Sequence, residues 1–165
     1  MNIELKSIKI CQFASEETLC FEAKGFVNGK AAFTVHNEGH GGSNSYHALD
    51  RDLLEQAEAW AKAQPRIKTN IADDKDRSGF WHMDSDLDAI VDEMMTLHDV
   101  KTQLKRILKK VVLCDAGEIY TLKAKATELT DAIRASVLKR YPQGKILNDM
   151  PFDDALVLFR NPKAA

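Results

Sequence analysis

The chain has 165 residues, 44% of them apolar and 29% charged, with a formal net charge of −2. A chain of this length buries a core without disulfide or metal staples, so one domain is expected. The near-neutral balance excludes a polyanion binder held by net charge alone, and no apolar run approaches the ~20 residues of a membrane span.

The opening MNIELKSIKI lacks the apolar stretch of a signal peptide, which points to a cytoplasmic protein. Cys11, Cys20 and Cys114 are odd in number and show no CxxC spacing. They read as reduced thiols at half-buried strand positions, not as a disulfide framework or a zinc knuckle.

Residues 2–13 alternate apolar and polar with a change of phase between Leu5 and Ile8, the pattern of a strand with a bulge near Ser7. Leu19, Phe21, Ala23 and Val27 mark one face of a second strand, and Ala31, Phe33 and Val35 one face of a third. Asn28-Gly29 between them signals a hairpin. A three-residue loop, Asn28 to Lys30, pairs Val27 with Ala31, Gly25 with Phe33 and Ala23 with Val35, leaving one clean apolar face. Glu22, Lys24, Thr34 and His36 then point away from the core.

Asp50 is placed to cap a helix with Leu53, Leu54, Ala57, Trp60 and Ala61 on its inner stripe, ending before Pro65. Residues 65–83 show no sustained period. They hold the charged run DDKDR and the adjacent Phe80-Trp81, which reads first as a plug at the edge of a core and second as an exposed anchor. Ser85 with Asp88 resembles a capping box. From there Leu87, Ile90, Met94, Leu97, Leu104, Leu108 and Val111 keep a heptad stripe, predicting one helix of about 40 Å. DSDLD at 84–88 lacks the glycine and glutamate of a calcium loop, having Ala89 and Met95 at those places. Residues 111–123 form a hairpin turning at Asp115-Ala116-Gly117, and 124–141 a helix. Pro151, behind the capping candidates Asn148 and Asp149, starts a last helix, with a buried strand as the alternative for ALVLF. The fold class is α+β: a three-stranded antiparallel meander packed on helices, one of them long, with a further hairpin and C-terminal helices. Its subparts are 1–64 and 84–165 of a single domain.

The glycine-rich bend between the third strand and the first helix is the candidate site. Its binding residues would be His36, Asn37, Gly39, His40, Gly41, Gly42, Ser43, Asn44, Tyr46 and His47. His36, His40 and His47 are the metal candidates, zinc being the ion that imidazoles suit, with the glycines working against the helix that would align them. An anion or nucleotide is a second option, since backbone N–H groups ahead of a helix can face phosphate, although GHGGSN matches no phosphate-loop pattern. No cofactor is favoured. No GxSxG or HExxH appears, so no catalytic residue is assigned. Lys101, Lys105, Arg106 and Lys109 make a basic helical face suited to an acidic protein, and less to nucleic acid because no aromatics are interleaved.

The run ASEETLCFEAKGFVNGKAAFTVHNEGHGGSNSYH resembles the opening of small accessory proteins carried by tailed phages and prophages. The resemblance implies an accessory role in infection within a bacterial host, such as inhibition of host defence, and carries over no site residue. The leading expectation is a non-enzymatic protein that binds a protein partner, with homodimerisation through the 85–111 seam as a further option. The alternative is a small-ligand binder or metal-dependent hydrolase using residues 36–47.

Overall fold

The computed structural model describes residues 1–73 and 75–164, apart from the side chains at 70 and 164. Asp74 of the DDKDR run lies outside the described residues. The architecture is α+β, and the chain divides into two compact units, Met1–Met95 and Thr96–Ala165, with the division inside a helix.

The first unit is built on a four-stranded antiparallel sheet in the order β1 (Ile3–Ile10), β2 (Phe21–Val27), β3 (Lys30–Asn37) and β4 (Ser45–Ala48). In β1 the register slips between Lys6 and Lys9 and Ser7 takes φ 53°, so the bulge falls where the change of phase puts it. The β2–β3 turn corrects the expected loop. Val27 pairs with Lys30 across a two-residue Asn28-Gly29 turn, and a bulge then restores Gly25 opposite Phe33 and Ala23 opposite Val35. The extra residue exposes Ala31 and buries Ala32. The strand β4 is a second correction, because residues 45–48 extend the sheet where a loop was expected. Helix α1 (Arg51–Lys62) starts as predicted, with the Asp50 carboxylate accepting from Leu53 N at 3.1 Å. Its inner stripe joins Phe21, Ala23, Val27, Phe33 and Val35 in one core, completed by Leu87, Val91 and Met95. Helices cover one face of the sheet, and its other face carries the exposed Lys6, Lys24, His36 and His47.

Residues 65–83 contain a hairpin of β5 (Ile67–Ala72) and β6 (Phe80–Met83), a separate two-stranded sheet. Helix α2 (Leu87–Ile107) is shorter than predicted, about 31 Å at 1.5 Å per residue. The Asp86 carboxylate, not the Ser85–Asp88 pair, takes the N–H of Ala89 at 2.8 Å. Among the described residues no helix is long and apolar enough to cross a membrane.

In the second unit β7 (Lys110–Asp115) pairs with β8 (Glu118–Lys125) and with the short β9 (Lys145–Ile146). Ala116 and Gly117 turn the hairpin with φ 49° and 79°. Helix α3 is confined to Asp131–Arg140 and capped by Thr130. Helix α4 (Phe152–Arg160) resolves ALVLF as helical, with Ala155, Leu156 and Leu158 buried. Asn148 does not cap it: its side chain accepts from Val112 N at 2.7 Å and donates to the carbonyls of Leu108 and Lys110. Val111 is a buried strand residue and not the last knob of a seam. Leu97, Val100, Leu104 and Ile107 pack into the core of this unit, so the α2 stripe is occupied by the chain's own side chains.

Candidate functional site

The glycine-rich bend is a clasp whose polar groups are turned inward. Asn37 ends β3 and is 8% exposed. Its side-chain oxygen accepts from Thr18 Oγ1 at 2.7 Å and from Gly39 N at 2.9 Å, while its amide nitrogen donates to the Gly42 carbonyl and to Asn44 Oδ1, both at 3.2 Å. The Gly39 carbonyl accepts from the N–H groups of Glu16, Glu17 and Thr18, and Gly41 N donates to Thr18 Oγ1. The segment between β1 and β2 is thereby tied to the bend. Gly39 has φ 91°, and a Cβ there would strike the Ala14 carbonyl, so backbone geometry alone accounts for this glycine.

The predicted residues therefore separate. Asn37, Gly39, Gly41, Gly42 and Asn44 hold the turn. His40 is exposed, with Nδ1 3.3 Å from Glu16 Oε2. His36 and His47 lie on the open sheet face, opposite Ser45 and Thr34. Ser43 is exposed. Among the described residues no three His, Cys, Asp or Glu side chains cluster to hold a metal ion, so the histidine set offers no zinc centre.

From the clasp Asn44 Nδ2 reaches Asp92 Oδ1 at 2.8 Å. Burial raises the Asp92 pKa above the ordinary aspartate value, with Asp88 and Asp86 adding to it. Burial likewise raises that of Tyr46, whose hydroxyl faces Asp88 and whose ring meets Phe33 edge-on at 5.5 Å. A raised folded-state pKa means that the folded protein holds the Asp92 proton more tightly than the unfolded chain does. The associated stability is complete below the unfolded value of about 4 and is lost as pH rises through the folded one. Asp92→Asn keeps an acceptor for Asn44 and removes the buried charge. Melting curves from acid to neutral pH should show a flatter profile for this variant, with a neutral-pH melting temperature no lower than that of the wild type. A lower one would mean that the ionised carboxylate holds the clasp.

Of the basic set, Lys101, Lys105 and Arg106 are on α2, and Lys105 Nζ stands 5.7 Å from the Phe152 ring centre. Lys109 lies past the helix end.

The β5–β6 hairpin offers a different kind of surface. Ile67 pairs with Met83, Lys68 with His82 and Ala72 with Phe80. Alternation puts Ile67, Trp81 and Met83 on one face, while Ile71 lies in the bulged stretch between Lys68 and Ala72, where the register shifts. Ile71 is 59% exposed, Trp81 44% and Ile67 37%. None of the three belongs to a core cluster, which corrects the expectation that Trp81 plugs a core. On the opposite face Lys68 Nζ sits 3.9 Å from the Phe80 ring centre. Asp76 pins the connecting turn, accepting from Ser78 N and Ser78 Oγ, bonds that hold its carboxyl below the usual range. Arg66 braces the base through Asp84 at 2.8 Å.

No family model, no curated protein and no solved structure matches the chain. What the surface can do therefore rests on its own residues. The alternation of Ile67, Thr69 and Ile71, with two of three β-branched positions apolar, is the sequence signal that reveals this hairpin. The charged DDKDR run beside it obscures the pattern.

Proposed function

We propose that the chain is a non-enzymatic accessory protein, of the phage type that its N-terminal resemblance implies, and that it binds a protein partner through the exposed Ile67, Ile71 and Trp81 of the β5–β6 hairpin. The observation that supports this is the exposure of Trp81, Ile67 and Ile71 together on a small two-stranded sheet, outside the core clusters of the described residues. An isolated hairpin is marginal alone and gains from being covered, and Trp is among the residues that most often anchor interfaces. Taking each free side chain as about 200 Å², the three leave on the order of 300 Å² uncovered. A stable dimer buries about 800 Å² per partner. The patch can supply the apolar centre of such a contact, with Trp81 and Ile71 as its two larger anchors and the neighbouring polar residues as its rim.

The test uses three baits against bacterial host lysate at low salt: wild type, Trp81→Ala with Ile71→Ala, and His40→Ala with His47→Ala. The same protein should be retained by the wild type and the histidine variant and lost from the hairpin variant. Equal melting temperatures would show that both variants are folded. Loss from the histidine variant alone would return the site to the bend, and retention of nothing would remove the proposal. A wild-type dimer in sedimentation that the hairpin substitutions dissociate would make a second copy the occupant.

A further inference from the structure

Cys11 and Cys20 stand side by side just past the paired ends of β1 and β2. Ile10 pairs with Phe21, and one step on Cys11 N donates to the Cys20 carbonyl at 2.9 Å, so the two cysteines oppose each other across the ladder. A pair that exchanges both ladder bonds has its Cα atoms about 5.5 Å apart, and a disulfide spans up to about 7 Å, which leaves room for the wider spacing of a pair that exchanges one. Here Ser15 takes over the second bond, its Oγ accepting from Cys20 N at 2.9 Å and donating to the Cys11 carbonyl at 3.0 Å. The frame of the ten-residue segment is thus closed before any bridge forms. Both sulfur-bearing residues line an open crevice of about 490 Å³, whose wall also includes Lys9, His36 and His40. Cys114 differs in being 1% exposed, with its thiol 3.7 Å from the Pro162 carbonyl.

We infer that Cys11 and Cys20 are a reversible dithiol site, which a small disulfide such as oxidised glutathione converts into an intramolecular bridge. A thiolate of the pair attacks one glutathione sulfur; that S–S bond breaks and one glutathione leaves as a thiolate, taking up a proton. The second protein thiolate attacks the protein sulfur of the mixed disulfide and expels the other glutathione. The protein loses two electrons and two protons, and the oxidant gains them. Burial, with the Cys11 thiol beside it, raises the Cys20 pKa, so bridging quickens as pH rises. The bridge pins a segment that carries Phe13, 93% exposed, and the N–H groups that clasp Gly39.

The reduced full chain is incubated with oxidised glutathione and read by intact mass and peptide mapping. The wild type should lose two hydrogens, keep no glutathione and yield a Cys11–Cys20 linked peptide that dithiothreitol reopens. Cys11→Ser and Cys20→Ser should each retain one glutathione on the remaining thiol of the pair. The oxidised wild type should melt higher than the reduced form, because the bridge restricts the unfolded chain. Glutathione held on either thiol of the wild type without a bridge, three thiols left free, or a link to Cys114 would each overturn the inference.

Discussion

Replacing Asn37 with Ala should lower the unfolding free energy by about 2–4 kcal/mol, read as a shift in denaturant midpoint. The side chain makes four hydrogen bonds at a position 8% exposed, and its removal strands the buried Gly39 N–H and Asn44 side-chain oxygen, while the less buried Gly42 carbonyl and Thr18 hydroxyl can turn to water. Each unmet buried group costs about 1–3 kcal/mol, offset in part by water entering the bend. Against a typical total of 5–15 kcal/mol this is a large fraction. His40→Ala and His47→Ala, made on exposed side chains, should stay within about 0.5 kcal/mol of the wild type. If Asn37→Ala were equally mild, the bend would be free to serve as a ligand site, and the network around it would carry no structural weight.

Gly25→Val should be destabilising by about 3 kcal/mol, the upper part of the range for overpacked cores. Local preference alone predicts the opposite, since Gly in a strand interior is about 0.5–1 kcal/mol worse than a residue with a side chain. The deciding fact is the Phe33 ring, fully buried opposite Gly25 and fixed on its edge by Tyr46. A Cβ at Gly25 would lie 2.6 Å from Phe33 Cδ2 and closer still to two other ring carbons. Phe33→Leu in the Gly25→Val background should recover part of the loss, whereas Phe33→Leu alone should be destabilising. That change of sign in a double-mutant cycle identifies the steric pair. A neutral or stabilising Gly25→Val would show that the ring has room to move.

The Gly25–Phe33 pairing was legible because strand alternation leaves one register with a single apolar face. The length of the turn before it was not, since Ala31 and Ala32 are equally small and hydrophobicity does not say which of them a bulge will turn inward. Ser45–Ala48 is not legible as a strand, because an edge strand with alternating Tyr46 and Ala48 between polar residues looks like loop. The stripe of α2 overran its end because Leu108 and the buried strand residue Val111 fall at heptad spacing, with no glycine or proline after Ile107 to stop the pattern. At the candidate site the same ambiguity holds for the glycines. A positive φ is required by a clasp as much as by a ligand cradle, and only the partners of Asn37 and Thr18 distinguish the two.

Hydrogen exchange at single-amide resolution tests most directly whether the bend is closed. The N–H groups of Thr18, Gly39 and Gly41 should exchange as slowly as the β2–β3 ladder, and Asn37→Ala should release all three together. Exchange of Gly39 and Gly41 in the wild type at the rate of an open glycine loop would contradict the closed clasp and with it the removal of function from residues 36–47.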